Sequence, residues 1–351
     1  MSSLRGAALS RDAHRGLLLL ARLAGNAPAL ELLTAAPVGT GGFAWLARRR
    51  IDALLDDNPL QPLYNRIWMR QRDALIEVMR ALARRDINAL CFKGAEIHLR
   101  HFPDQALGGM ADVDILVVRE KGEVARAELH ELGYRHGVFN SGTGMVSWFS
   151  HDEIARQEVG HYELAPLLRL ERFEVSQTEA ALLAAERIRV PIWPGGKVGE
   201  WCLGIEIDVH TGVATNISSD ELFMCTDPGS CGAGRSMSSS DLLWFTASRY
   251  YSEVGTVGKR SLRDLVYIIA LLRGRIDWDH VMRVATDYQL GASLFYPLAF
   301  LQRTFGATVP DAVLEATSPL KTPRLRDWGW QLGVLFDFIE PLPPIADIRS
   351  E

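Results

Sequence analysis

Only four cysteines occur in 351 residues, Cys91, Cys202, Cys225 and Cys231, and no two stand in a Cys-x-x-Cys spacing. That scarcity excludes a disulfide framework and argues against a zinc site, so a reducing cytoplasm is the expected compartment. Long hydrophobic runs are also missing. No window approaches the ~20 apolar residues a helix needs to cross a bilayer, so no membrane partner is expected. Arg5, Arg11 and Arg15 ahead of Gly16-Leu-Leu-Leu-Leu20 imitate a targeting signal, but Asp12 and Arg22 interrupt it, which predicts a buried helix instead. Charge of one sign is not in excess: 38 Lys and Arg stand against 43 Asp and Glu, a net charge of −5. Polyelectrolyte attraction to nucleic acid is therefore not expected. No internal repeat or long low-complexity tract appears.

The chain does carry 48% hydrophobic and 23% charged residues, an ordinary globular balance, and length for two or three domains. Its first part reads as helical, over about 9–24, 43–56 and 62–85, the last with Leu75, Val78, Met79 and Leu82 at helical spacing. A strand at 87–92 runs into Lys93-Gly94 and a short helix. A second strand follows near 111–118, then an amphipathic helix over 120–133 ended by glycine. The middle is less legible, with strands expected near 146–149 and 160–164 and a helix near 177–187. The segment 201–210 alternates cleanly, 226–240 reads as a Gly/Ser-rich linker, and helices fill 241–251, 261–272 and 279–288 before a Pro-rich tail. The expectation is an α+β fold: an N-terminal helical region over 1–85, a core with a small mixed sheet over 86–225, and a C-terminal helical domain over 226–351.

Asp112 and Asp114, in Ala111-Asp-Val-Asp-Ile-Leu-Val-Val118, carry the most chemistry. On a strand their carboxylates share one face, while Val113, Ile115 and Val117 take the other. Neighbouring carboxylates repel unless a cation lies between them, and Mg²⁺ or Mn²⁺ suits oxygen donors. Along 201–210 the apolar face is Trp201, Leu203, Ile205, Ile207 and Val209; Glu206, Asp208 and His210 share the opposite one. Asp208 is the expected third acid. Glu206 on the same face is a competitor for that place, and His210 either orients Asp208 or touches metal or substrate. Lys93 would add positive charge near phosphates, and Gly94 at a helix N-terminus would let them approach unpaired backbone N–H groups. A strand–Lys-Gly–helix turn, a paired-acid strand and a later acid strand are the parts that metal-assisted nucleotidyl transfer needs.

Ile87-Asn-Ala-Leu-Cys-Phe-Lys-Gly-Ala-Glu96, Ala111-Asp-Val-Asp-Ile-Leu-Val117 and Ile207-Asp-Val-His210 together resemble a bacterial nucleotidyltransferase family of the polymerase β-like superfamily, whose motifs are an LKG turn, a DxDLLV strand and a DxH strand. Leu262-Arg-Asp-Leu-Val266 with Ile276-Asp-Trp278 resembles that family's helical tail. The resemblance implies a polymerase β-like nucleotidyltransferase core flanked by helices. It also implies transfer of a nucleoside monophosphate from an NTP, ATP foremost, to a hydroxyl of a peptide or small-molecule acceptor, as in natural-product tailoring. On this reading Asp112, Asp114 and Asp208 bind Mg²⁺ or Mn²⁺. Lys93 and Gly94 hold the triphosphate, with Lys259, Arg260 or Arg263 reaching in from the helical side. Two departures stand out: Gly108 replaces an Arg four residues before the first Asp, and Ser248-Arg249 stand where a His is usual. The missing Arg keeps open a degenerate chain that only binds its ligand, and phosphoryl transfer is a further alternative.

Other patterns read as structural. His98 and His101 on one helix are expected to pack or face solvent, Arg275-x4-His280 falls at a helix cap, and Ser150-His151-Asp152 are adjacent in sequence and cannot form a triad. Trp244, Phe245, Tyr250 and Tyr251 are first of all core residues.

Overall fold

The alternation along 201–210 becomes the longest strand of a mixed sheet, its apolar face (Leu203, Ile205, Ile207, Val209) almost wholly buried. The computed structural model describes residues 59–318, apart from 104–105, 107–109, 141–144, 187–189, 196–199, 214–216, 218, 225, 231, 233, 255–261 and 306–308. The helices expected over 9–24 and 43–56, the Pro-rich tail, Gly108, Cys225, Cys231, Lys259 and Arg260 therefore lie outside the described residues. The chain separates into two units, with a boundary between Ser238 and Ser239.

The first unit begins with α1 (Gln61–Arg84), whose Pro62 suits a helix start and whose Leu75, Val78, Met79 and Leu82 are all buried. It continues through β1 (Ala89–Cys91), α2 (Lys93–His101), β2 (Val113–Val117), α3 (Gly122–Glu131), β3 (Arg135–Asn140), β4 (Met145–Trp148), α4 (His151–Glu158), β5 (Leu167–Phe173), α5 (Gln177–Glu186), β6 (Ile192–Pro194), β7 (Trp201–His210), α6 (Ser219–Met224), β8 (Thr226–Pro228) and β9 (Arg235–Met237). The sheet order is β4-β3-β5-β7-β2-β1-β9-β8, with β6 pairing separately on β7. The pairs β2/β7 and β1/β9 are parallel; the others are antiparallel. α1 packs on β7, β1 and α3, closing the apolar side of the sheet. Gly133 ends α3 as expected, with φ +87°, a conformation that a side chain disfavours.

Two expectations need correction, over 160–164 and over 226–240. The region 160–164 holds an isolated bridge at Glu163 rather than a strand, and the strand forms further on, as β5. Ser150 and Glu153 build a reciprocal capping box that starts α4, so Ser150-His151-Asp152 mark a helix start. The stretch 226–240 is no plain linker, because β8 and β9 extend the sheet along β1.

A partly buried ion-pair network fixes that added hairpin. Arg100 on α2 donates from Nε to Glu96 Oε1 (2.6 Å), from Nη1 to Asp227 Oδ2 (3.0 Å), and from Nη2 to Ser236 Oγ (2.5 Å) and Met237 O (2.6 Å). Ser230 Oγ donates a further bond to Glu96 Oε1, and Glu96 is fully buried. Arg100→Ala would strand that carboxylate away from water. A loss of about 3–5 kcal/mol is expected, read from denaturant titration.

The second unit is helical over its described residues: α7 (Ser239–Val254), α8 (Leu262–Leu272), α9 (Trp278–Asp287), α10 (Gly291–Phe305) and α11 (Asp311–Thr317). α7 packs on α8 and α10 through an apolar core that includes Leu242, Leu243, Trp244 and Leu294. Asp277 caps α9 by accepting from His280 N, and His280 Nε2 lies 2.6 Å from the buried Asp241 Oδ1. His280 is thus a structural residue. Among the described residues, no helix is long and apolar enough to cross a membrane.

Candidate active site

Parallel pairing of β2 with β7 sets Asp114 directly opposite Asp208 and Leu116 opposite His210. Registered residues in a parallel pair project to the same face, so two distant sequence segments deliver their polar side chains to one spot. Asp112 precedes β2 by one residue; Val113 pairs with Ile207, which leaves Asp112 at the level of Glu206. The loop leading to Asp112 is held by α1. Gln71, itself buried, donates to Met110 O at 3.0 Å, Gln61 donates to Ala106 O at 3.2 Å, and Asn65 accepts from Ala106 N at 2.9 Å.

Ligand atoms of Asp114, Asp208 and His210 all lie within 4.8 Å of one another. Asp114 and His210 are buried and Asp208 is half-buried. His210 Nε2 is 2.9 Å from Asp114 Oδ1. Lys93 Nζ donates to Asp114 Oδ1 at 2.5 Å and lies 2.9 Å from His210 Nε2. Lys93 stands where β1 turns into α2, with φ 56°, a left-handed conformation rare for a side-chain-bearing residue and often retained where function requires it. Gly94 follows it, half-buried in the first turn of α2.

The electrostatics describe a site short of positive charge. Burial pushes the Asp208 carboxyl up to about 8, with repulsion from Asp112, Asp114 and Glu206 adding to it. Burial, then Asp112 and Asp114, likewise push Glu206 up to about 8. Burial and the Lys93 ammonium lower the His210 pKa, but contacts with Asp114 and Glu163 outweigh them and hold it above the ordinary imidazole value. Asp208 Oδ1 is buried and has no hydrogen-bond partner among the described residues. An orphaned carboxylate oxygen beside a second carboxylate and an imidazole is a donor set that fits a divalent cation.

The family profile described as uncharacterised nucleotidyltransferase matches residues 68–306, about two thirds of the sequence. The chain belongs to this family. No curated protein matches it. Among solved structures, an antigenic nucleotidyltransferase-like protein from Paracoccidioides brasiliensis is similar, at 12% identity over 70% of this chain and 96% of that one, with a TM-score of 0.31.

Of the residues expected in the family's site, the structure brings Asp114, His210 and Lys93 into contact, with Asp208 within 4.8 Å of Asp114 and His210. Asp112 and Glu206 flank that group, close enough for Asp112 to act on the charge of Glu206 and Asp208. Arg263 lies on α8, in the other unit, and its side chain is not among those described. His98 is wholly buried and packs against Trp68 and Phe102, a core role rather than a ligand's. Sequence reading missed Glu163, whose Oε1 lies 3.0 Å from His210 Nδ1. No motif marks it; only the fold brings it to His210.

Proposed function

We propose that this chain transfers a nucleoside monophosphate from an NTP, ATP foremost, to a hydroxyl of a peptide or small-molecule acceptor, with Asp112, Asp114 and Asp208 holding Mg²⁺ or Mn²⁺. The observation that carries this reading is the register of β2 on β7, which sets Asp114 opposite Asp208 in a cluster with His210, together with a buried Asp208 oxygen that has no hydrogen-bond partner among the described residues. Bound divalent ions would supply the positive charge that neutralises phosphate oxygens and makes the acceptor hydroxyl more acidic. The protein's own residues set the stage for that chemistry. Asp208, whose carboxyl is pushed up to about 8 without the ion, would complete the ion site and help deprotonate the acceptor hydroxyl. Lys93 and the half-buried Gly94 sit at the start of α2, where unpaired backbone N–H groups favour phosphate.

The test is incubation with ATP, GTP, CTP and UTP, with and without Mg²⁺ or Mn²⁺, alongside candidate peptide and small-molecule hydroxyls. Calorimetry reads binding and mass spectrometry reads products. Metal-dependent NTP binding with pyrophosphate release is expected, and Asp114→Asn should lower transfer at least about a hundredfold. Release of ADP in place of pyrophosphate would replace the reading by phosphoryl transfer. Binding with no product would leave a catalytically degenerate binding protein.

A further inference from the structure

Glu163 has no part in the reading above, yet it is the carboxylate nearest the outer nitrogen of His210. The backbone puts it there. Glu163 and His210 form an antiparallel bridge, Leu164 N donates to Val209 O at 2.9 Å, and Thr211 N donates to Tyr162 O at 2.6 Å. Segment 162–164 thus laces the end of β7 and presents Glu163 Oε1 to His210 Nδ1 at 3.0 Å. The imidazole has little freedom to turn away: Phe92 meets it edge-on at 5.0 Å and Tyr162 lies near-parallel at 6.1 Å between centroids.

A ring nitrogen that accepts from an ammonium carries no proton, which leaves the ring hydrogen on the other nitrogen. Lys93 Nζ lies 2.9 Å from Nε2, so Nε2 offers its lone pair to a cation and Nδ1 keeps its hydrogen on the side of Glu163. Nε2 faces inward, 2.9 Å from Asp114 Oδ1 and within the cluster that includes Asp208. A carboxylate behind an imidazole is the usual way a histidine ligand is oriented and made more basic. A site that adds an imidazole to its carboxylates no longer has the all-oxygen character that Mg²⁺ prefers, whereas Mn²⁺, higher in affinity for nitrogen donors, tolerates the mixture.

We propose that Glu163 is a positioning residue that fixes His210 Nε2 as a nitrogen ligand, and that this ligand makes the ion site select Mn²⁺ over Mg²⁺. The inference rests on the ion-binding half of the proposed function and deepens it.

Free Mn²⁺ is titrated by electron paramagnetic resonance without nucleotide, and Mg²⁺ is measured by competition. The wild-type chain is expected to bind Mn²⁺ at least about tenfold more tightly than Mg²⁺. Glu163→Ala should weaken Mn²⁺ binding by about 10- to 100-fold and Mg²⁺ binding by less, so the preference narrows. Glu163→Gln, which still accepts a hydrogen bond, should fall between. Equal losses for both ions, or an unchanged preference, would overturn the proposal. Glu163 is partly exposed, with 40% of its side chain accessible, so its variants should fold. If they do not, electron spin-echo modulation on the Mn²⁺-loaded wild-type chain decides: a directly bound imidazole nitrogen supports the proposal and its absence sinks it. Nitrogen coupling without pyrophosphate release would remove the transferase reading and leave this one. Transfer supported by an ion with no nitrogen ligand would do the reverse.

Discussion

Asp208→Asn is expected to abolish nucleotidyl transfer and, in the same protein, to raise the melting temperature of the ion-free chain. The two effects have one cause. Asp208 is held among Asp112, Asp114 and Glu206, and burial together with that repulsion lifts its pKa to about 8, far above the ordinary carboxylate value. A folded protein that keeps a proton which its unfolded chain releases is most stable below the unfolded pKa, near 4. Its stability then falls as pH climbs through the window from about 4 to about 8. Glu206, also raised to about 8, adds to the same slope. Asparagine is nearly isosteric, carries no charge and removes the Asp208 share of the penalty. The expected gain at pH 7–8 is on the order of 1–3 kcal/mol. For a unit of this size that corresponds to several degrees in melting temperature, at about 2–4 °C per kcal/mol. Differential scanning fluorimetry at pH 5, 7 and 9 checks it: the wild-type chain should lose stability across the series more steeply than the variant. Divalent ion should stabilise the wild-type chain and leave the variant nearly unmoved. A variant less stable at pH 8 than the wild type, or one that retains transfer, would show that Asp208 is an ordinary strand residue.

Such a trade of stability for function explains which parts of this chain were legible beforehand. Strand β7 could be read because one face is apolar and fully buried, so its period of two survives in sequence. The acids on its other face were equally readable, since carboxylates on an oily strand contradict the surroundings. β8 and β9 were not readable, because Thr-Asp-Pro and Arg-Ser-Met are too short to show a period. They are held by Arg100, more than 120 residues away along the chain, and not by local preference. β5 was obscured by its sequence, Leu-Leu-Arg-Leu-Glu-Arg-Phe, in which two adjacent leucines break the alternation and Arg, Glu and Leu favour helix. Within the site, spacing placed Asp114 on one strand and Asp208 and His210 on the polar face of another; their pairing came from the fold. Spacing gave no hint that Lys93 would reach back to bridge Asp114 and His210, or that Glu163 would reach His210 from an irregular segment.

Lys93 carries the second large effect, because its ammonium already acts as a cation in the cluster. Nζ is 2.5 Å from Asp114 Oδ1 and 2.9 Å from His210 Nε2, two atoms assigned above to the divalent ion. One ammonium and one ion cannot share them at full strength. An ion held there would take the place of the amine, and Lys93 could then meet phosphate beside the start of α2. Lys93→Met keeps most of the length and removes the charge, so the expected outcome points in opposite directions for binding and turnover. Ion affinity without nucleotide should rise by about tenfold, equivalent to about 1.4 kcal/mol of lost competition. Transfer should fall by at least about a hundredfold, since positive charge is lost where charge develops on phosphate. The ion-free variant should also be less stable, because the buried Asp114 loses its ammonium contact, and added ion should recover that loss. Mn²⁺ titration, fluorimetry with and without ion, and pyrophosphate release read the three effects on one sample. If ion affinity fell together with transfer, Lys93 would be a scaffold that shapes the site, and the competition drawn from its two short contacts would be wrong. If affinity rose while transfer persisted, its charge would serve the resting protein alone, and the phosphate would have to be met by another group.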